Sequence, residues 1–456
     1  MRVCLISLGC PKNQVDGEVM LAALAAQGHT IAARPELAET VIVNTCGFIR
    51  AAQQESINTI LEVTRLKQTG RLRHVIATGC LTQRYGAELL ADIPELDAVT
   101  GTGGPAELGR ALAAVAADER VSAVGAAGYL PDGVAPRLLS TPPWTAYLKV
   151  SEGCDNRCAY CVIPDLRGAH RSRPIGDLAA EVAQLVDGGV REVTLVGQDL
   201  TRWGSDLPGA PDLSDLLQAL AGEGAPHWLR LHYLHPARVD DRLLSTIGRL
   251  DRVCKYLDLP MQHGSDPVLT AMRRGTTADG LRRLVAGARE LMPEVAIRSS
   301  FIVGFPGETD ADFLALRTLM RDISIDWAGV FAYSREEGTP AATMADQVSQ
   351  RTKARRRARA MALQRGISRR RSAAQVGKTL ELLVEGLPRP VRQPDGQVAD
   401  CVLARSYREA PGVDGSVFLR VAPRHPAPPP GTFVNGRVVA AEAYDLYAAT
   451  DSSPQT

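Results

Sequence analysis

Ser151-Glu152-Gly153-Cys154-Asp155-Asn156-Arg157-Cys158-Ala159-Tyr160-Cys161 is the stretch on which the reading of this chain turns. It follows a strand-like run over residues 146–150 and sets three cysteines at C-x-x-x-C-x-x-C spacing on one polar loop. Three thiolates on a short loop can hold three corners of a cubane iron–sulfur cluster and leave the fourth iron open to a substrate. A zinc site normally takes four nitrogen or sulfur ligands, and this loop offers three with no C-x-x-C partner nearby. Inert buried thiols fit poorly with Asp155, Asn156 and Arg157 between the cysteines.

Working outward from the loop, strand-like runs recur at 146–150, 192–196, 228–232, 256–259, 296–303 and 327–332, with helical stretches between them. Six βα repeats predict a partial (β/α)6 barrel, whose chemistry belongs at the carboxyl ends of its strands. Upstream, short β-branched runs at 3–8, 41–44 and 75–78 alternate with helical stretches at 18–27 and 56–67, the pattern of an open parallel α/β sheet. Gly and Pro residues without a sustained period mark a linker over 121–143. Downstream, 351–371 holds ten Lys or Arg and no acid. A solvated linker helix and a surface that meets phosphate or an acidic partner both fit that run. Short runs at 380–384, 401–404, 417–421 and 437–441 then predict a small β-barrel, and 451–456 reads as a polar tail. The expected division is therefore 1–120, the linker, 144–350, a basic helix over 351–374, and a barrel over 375–449.

Composition narrows the function classes. The chain has 456 residues, 45% of them hydrophobic and 23% charged, with a formal net charge of +1. Disorder is excluded as the general state, and any nucleic-acid contact has to be local. The C-terminal barrel is itself neutral, with eight basic and eight acidic residues between Gln375 and Ala449. No apolar h-region or membrane-length apolar run is found, so a cytoplasmic protein is expected. Nine cysteines, an odd number, point to metal or redox chemistry rather than disulfide stapling.

A second cysteine set lacks a motif spacing but has a common position. Cys10, Cys46 and Cys80 each fall just past the end of an expected strand, in Gly9-Cys10-Pro11-Lys12-Asn13, Asn44-Thr45-Cys46-Gly47 and Thr78-Gly79-Cys80. Loops at the carboxyl edge of an open parallel sheet converge on one crevice, where three thiols could meet. Three buried cysteines that happen to end strands would look the same, so the residues alone leave both readings open. Cys4, Cys254 and Cys401 lie in apolar runs and are expected in the core.

The central loop, with an aromatic residue at Tyr160 before its last cysteine, resembles the signature of the radical S-adenosylmethionine superfamily. The three N-terminal segments resemble the first domain of the methylthiotransferase family, and 375–449 is similar to the TRAM module. These resemblances together cover nearly the whole chain. They imply a 4Fe-4S cluster on Cys154, Cys158 and Cys161, and a second one on Cys10, Cys46 and Cys80. They also imply S-adenosylmethionine as both methyl donor and source of a 5′-deoxyadenosyl radical. Cofactor contacts are expected at Tyr160, at Gly197 and Gln198 after the second strand, and at Gly304 and Gly307 after the fifth, although ordinary βα turns account for the last four equally simply. His263, after the fourth strand, is read as a surface residue with no metal role. No side chain is expected to act as a general base, because the target C–H bond is not acidic.

Two segments resemble the branch acting on the small-subunit ribosomal protein S-twelve: Gly9-Cys10-Pro11-Lys12-Asn13, and Glu336-Glu337 in Tyr333-Ser334-Arg335-Glu336-Glu337-Gly338. Acidic residues there would suit a basic protein substrate. The implied reaction is methylthiolation of the β-carbon of an aspartate, with the substrate protein met on the assembled small subunit, a low-potential electron donor of flavodoxin or ferredoxin type and a local ribosomal RNA contact. The alternatives are a tRNA adenosine methylthiotransferase and, in another class, a non-catalytic iron–sulfur redox sensor or carrier.

Overall fold

In a computed structural model the described residues are 1–68, 70–133, 135–421 and 426–450, so the polar tail at 451–456 lies outside them. The chain forms two compact units, Met1–Ala225 with Ser334–Thr343, and Pro226–Tyr333 with the chain from Met344 onward.

The first unit opens with β1 (Arg2–Ser7), α1 (Pro11–Ala26), β2 (Thr30–Ile31), β3 (Thr40–Thr45), α2 (Arg50–Arg65), β4 (His74–Gly79), α3 (Cys80–Asp92), β5 (Ala98–Thr100), α4 (Pro105–Ala116) and β6 (Val121–Ala123). These strands make one parallel sheet in the order β2-β1-β3-β4-β5-β6. Every residue of β3 is buried, as expected of a strand covered by helices on both faces. Val41, Val43, Val75 and Ala77 pack toward Ile60 and Val63 of α2, whereas Ile42 and Ile76 pack toward Met20 and Leu24 of α1 and Leu108 and Leu112 of α4. Strand order reverses direction between β1 and β3, the switch point at whose carboxyl edge α/β sheets bind ligands. The same unit continues with β7 (Thr145–Lys149), β8 (Ser151–Glu152), α5 (Ile163–Arg167), β9 (Arg171–Ser172), α6 (Ile175–Asp187), β10 (Glu192–Val196) and α7 (Leu213–Leu220), and β7 and β10 pair in parallel.

The second unit holds the other four strands expected of the central block, β11 (Trp228–Leu231), β12 (Tyr256–Asp258), β13 (Ala296–Val303) and β14 (Trp327–Ala332). Helices α8 (Asp241–Arg249), α9 (Asp266–Ala271), α10 (Ala278–Leu291) and α11 (Asp310–Ile323) lie between them, and β12-β13-β14 is a parallel sheet. After α12 (Pro340–Thr343), which belongs to the first unit, comes α13 (Gln350–Ala373). Six strands close the chain: β15 (Thr379–Val384), β16 (Arg389–Arg392), β17 (Val398–Arg405), β18 (Val417–Arg420), β19 (Phe433–Ala441) and β20 (Leu446–Ala449). The additional pairing of β15 with β17 curls the order β15-β19-β20-β18-β17 into a small barrel around Leu382, Val402, Leu419 and Val438, with β16 on its edge. The fold is thus α/β and multidomain, with the N-terminal parallel sheet and the small C-terminal β-barrel expected, while the strands of the central block are divided between the two units. Cys4, Cys254 and Cys401 are core residues, 4%, 3% and 0% exposed. His263 is a correction: it is fully buried, its Nδ1 accepting from the Ser265 N–H at 3.0 Å, because the turn after β12 tucks inward instead of facing solvent.

Within the second unit the barrel is joined to the parallel sheet by charge. Arg408 reaches Asp326 at 2.6 Å, and Arg230 donates to the Tyr407 carbonyl at 2.7 Å. Asp414 accepts from the Tyr256 hydroxyl at 2.6 Å and stands 3.3 Å from Arg298. Burial pushes the Asp414 carboxyl up to about 6, against the pull of Arg298 and Tyr256. A raised folded-state value favours the folded chain at low pH and loses that advantage as pH rises through about 6. Asp414→Asn should therefore flatten the pH dependence of thermal unfolding between pH 4 and 7 by on the order of 3 kcal/mol. An unchanged slope in that window would show that Asp414 titrates normally.

Candidate metal centres

All six candidate ligands lie in the first unit. Cys10 is the residue before α1, Cys46 follows β3, and Cys80 opens α3, so each occupies the carboxyl edge of the parallel sheet around the β1/β3 switch point. Glycines bring the three loops together. A Cβ on Gly9 would stand 2.8 Å from the Cys46 Cβ, and one on Gly47 would stand 2.7 Å from the Cys80 carbonyl oxygen. Gly9 and Gly79 also adopt φ of +92° and +99°, which disfavours any other residue there.

Polar side chains fix these loops. Asn13 donates to the Leu8 carbonyl at 2.7 Å and to the Thr45 carbonyl at 3.3 Å, tying the Cys10 loop to the Cys46 loop. Ser56 of α2 accepts from the Cys46 N–H at 3.0 Å and returns a bond to its carbonyl at 3.1 Å. Burial pushes the Cys46 thiol up to about 11; the Phe48 backbone N–H pulls it down, and Cys80 and Cys10 push it up again. Burial likewise raises the Cys80 thiol, while Arg167 lowers it. Cys80 is buried and Cys10 and Cys46 half-buried, so the three sulfurs sense one another in a largely shielded crevice, where thiolates need a compensating cation. That donor set suits an iron–sulfur cluster, which places each thiolate on its own iron. Among the described residues no three acid, histidine or cysteine side chains converge on a single-ion site.

The C-x-x-x-C-x-x-C set sits on the loop between β8 and α5. Cys154 and Cys158 are buried, and Tyr160 and Cys161 half-buried. The Cys154 N–H donates to the Gly168 carbonyl at 3.0 Å, and the Ala341 N–H donates to the Ala159 carbonyl at 2.8 Å, so the loop is pinned from both sides. Gly153 has φ of +79°, and a Cβ there would lie 2.0 Å from the Ala169 carbonyl oxygen. Asn156 donates to Asp199 at 2.6 Å, which brings the end of β10 to the cysteine loop. Beside it, Gln198 donates its amide N–H to Glu152, leaving a buried Oε1 without a partner. A Cβ on Gly197 would stand 2.5 Å from the Ser151 hydroxyl. Gly304 and Gly307 belong to the second unit. At Gly304 a side chain would strike Lys353 of α13 at 2.3 Å, and Gly307, at φ +79°, has open space around its α-carbon.

Between the two cysteine sets lies a group of charges that sequence reasoning did not single out. Lys149 Nζ is 2.5 Å from Asp16 and also bonded to Glu152, while Arg167 Nη1 stands 2.6 Å from Asp16 and 3.0 Å from Glu152. Burial alone would raise the Glu152 carboxyl, but Arg167 and Lys149 hold it down at about 2. A lysine inside the otherwise apolar strand over 146–150 was the available signal, since a charge in a buried strand needs a partner.

Three family descriptions match in succession: the uncharacterized protein family UPF0004 over residues 2–101, the radical SAM superfamily over 148–320, and the TRAM domain over 376–450. The radical S-adenosylmethionine methyltransferase TsrM from Kitasatospora setae shares the fold at a TM-score of 0.55, with 16% identity over 75% of this chain and 76% of that one. Fold and matches together define a radical S-adenosylmethionine enzyme that carries a TRAM domain. The ribosomal protein uS12 methylthiotransferase RimO of Desulforudis audaxviator is 49% identical over 98% of this chain and 96% of its own. The protein of the same name from Pelotomaculum thermopropionicum is 45% identical over 99% of both. The chain belongs to this RimO family.

Glu336 departs from its expected role. It is 3% exposed, and its carboxylate accepts from the Arg50 N–H at 2.9 Å, from Gln53 at 2.9 Å and from Arg84 at 3.3 Å. It therefore caps α2, the helix that follows the Cys46 loop, and Gln53 passes the contact on to the Gly47 carbonyl at 3.2 Å. Glu337 alone of the pair is exposed. Glu336→Ala should destabilise the fold by about 1–3 kcal/mol, because it uncaps a helix and removes the carboxylate partner of a nearly buried Arg84, with partial rescue by Gln. An unchanged melting temperature would return Glu336 to the substrate surface.

Proposed function

We propose that the chain methylthiolates the β-carbon of an aspartate in small-subunit ribosomal protein S-twelve (uS12), using S-adenosylmethionine both as methyl donor and as radical source. The observation that carries this reading is the pair of cysteine sets in one folded unit, in a chain whose relatives bear that activity in their names over nearly their full length. Cys154, Cys158 and Cys161 are assigned to one 4Fe-4S cluster, and Cys10, Cys46 and Cys80 to a second. When bound, the first would supply one-electron cleavage of S-adenosylmethionine to a radical that takes hydrogen from an unactivated carbon, and the second would hold the sulfide that is methylated and transferred.

What remains falls to the chain's own residues. Tyr160, Gly197, Gln198, Gly304 and Gly307 are assigned to S-adenosylmethionine. The unpartnered Gln198 Oε1 supports that role for its residue, since a buried acceptor suits an ammonium donor. The buried loops exclude water from a radical that would otherwise be quenched. No residue has to move a proton at the target carbon, whose C–H bond is too weakly acidic for a base. The working division of the chain is 1–120, 144–350 and 375–449, joined by the linker and α13. The electron donor is of the low-potential flavodoxin or ferredoxin type, and the reaction belongs to the cytoplasm. Among the described residues no helix is long and apolar enough to cross a membrane.

The ribosomal RNA contact is assigned to one face of α13. Lys353, Arg356 and Arg371 are used within the second unit, bonded to the Tyr333 carbonyl, Glu308 and Asp326. Arg351, Arg355, Arg359, Arg365, Arg369 and Arg370 are exposed. At 100° per residue they share one side of the helix over about 28 Å. Among the described residues Arg355 stands 3.9 Å from Asp310, whose carboxyl Arg359 also helps to lower. Burial and repulsion from Arg321 and Arg359 lower the neighbouring Arg317. Like charges gathered without acids suit a phosphate backbone.

Fully reconstituted protein should hold about eight irons, and Cys154→Ala about half. Four irons in the unmutated chain would remove the second cluster. Arg365→Glu with Arg369→Glu should weaken binding to small ribosomal subunits at least tenfold and flatten its salt dependence, leaving S-adenosylmethionine cleavage intact. Unaltered binding would make α13 a solvated linker.

A further inference from the structure

Arg167 is the last residue of α5, the helix that begins two residues after Cys161, yet its side chain ends at the other cysteine set. It is 3% exposed, and each nitrogen of the guanidinium has its own acceptor. Nε donates to the Cys80 sulfur at 3.2 Å, Nη1 to Asp16 and Glu152, and Nη2 to the Asn13 oxygen at 3.0 Å. The guanidinium is planar, so three fixed acceptors leave the Nε–H no direction but the sulfur. Along the backbone the next residue contacts the first cysteine set, because the Gly168 carbonyl accepts the Cys154 N–H at 3.0 Å. A single peptide unit therefore separates a hydrogen bond to Cys80 from a hydrogen bond to Cys154.

We propose that Arg167 is the positioning residue that tunes the Cys10/Cys46/Cys80 cluster, holding Cys80 in register with the Cys154 loop and setting the cluster's reduction potential through its N–H to sulfur bond. The inference rests on the assignment of a cluster to those three cysteines. An N–H donor and a positive charge beside a ligand sulfur favour the more negative, reduced state, so they raise the potential. The same bond also makes the sulfur a weaker donor to its iron. The quartet of Lys149, Arg167, Asp16 and Glu152 is balanced at two charges of each sign, so the effect comes from the directed N–H and not from a net field.

The test uses the full-length chain carrying Cys154→Ala, Cys158→Ala and Cys161→Ala, so that only the N-terminal cluster reports. Its potential is measured by redox titration followed by electron paramagnetic resonance, alongside iron content and thermal unfolding. Arg167→Lys keeps a charge for Asp16 and Glu152 but cannot fill three acceptors in one plane, and Arg167→Gln removes the charge as well. We expect Arg167→Lys to load about four irons and to lower the reduction equilibrium constant about tenfold, about 59 mV for one electron. Arg167→Gln should shift it at least as far where it folds. A potential in the lysine variant equal to that of its parent overturns the proposal, because a purely structural role would change loading or melting without moving the potential of the loaded fraction. A parent with no iron at all overturns the cluster assignment first, and is told apart by the iron count.

Discussion

Lys149, Arg167, Asp16 and Glu152 share one dry volume, and the arrangement of the first unit depends on their staying together. Two cations and two carboxylates out of water are tolerated only when each has its partners, and removing one leaves an uncompensated charge at a cost of about 3–5 kcal/mol. Their origins give the quartet its consequence. Asp16 lies on α1, six residues after Cys10; Lys149 ends β7; Glu152 precedes the cysteine loop; Arg167 ends the helix that follows it. The N-terminal sheet is thus keyed to the start of the radical S-adenosylmethionine fold at the place where both cysteine sets emerge. Apolar packing alone would permit sliding between such elements, whereas a four-way set of directed bonds does not.

The same economy governs the arginines. A basic run of ten in twenty-one residues reads in one dimension as a uniform charge, but the helix divides it. Lys353, Arg356 and Arg371 face inward to a carbonyl and to carboxylates, and the outward face keeps its arginines for solvent or a polyanion. In the neutral C-terminal barrel, Arg405 and Arg408 are buried against Glu385 and Asp326, so even fewer cations remain to meet RNA there. The exposed cations of this region are concentrated on α13 rather than on the barrel.

Much of the fold was legible because its signals are local. The six strands of the central block stand within a residue of where the β-branched runs put them, and the C-x-x-x-C-x-x-C loop carries its meaning in eight residues. The second cysteine set was legible only as a position, the carboxyl edge of a parallel sheet, which topology turns into proximity. In the barrel, β16 and β20 carry little strand signal, since Arg389–Arg392 holds a proline and Leu446–Ala449 has no β-branched residue. What the sequence could not express is long-range pairing: Arg167 meets Cys80 across 87 positions, and Glu336 meets Arg50 across 286. Glu336 had the charge of a substrate contact and the surroundings of a helix cap, and only the second is visible in three dimensions. Gly304 is similar, a glycine that a cofactor could require but that Lys353 requires in any case.

The most direct measurement is peptide mass spectrometry of S-twelve after reconstituted full-length protein is incubated with reductant, small ribosomal subunits and S-adenosylmethionine labelled in its methyl group. The expected result is one labelled methylthio group on a single aspartate, with about one 5′-deoxyadenosine formed for each. Formation of 5′-deoxyadenosine with S-twelve unmodified, or a labelled methylthio group on tRNA in its place, would contradict the assignment of this chain's two cysteine sets to that reaction.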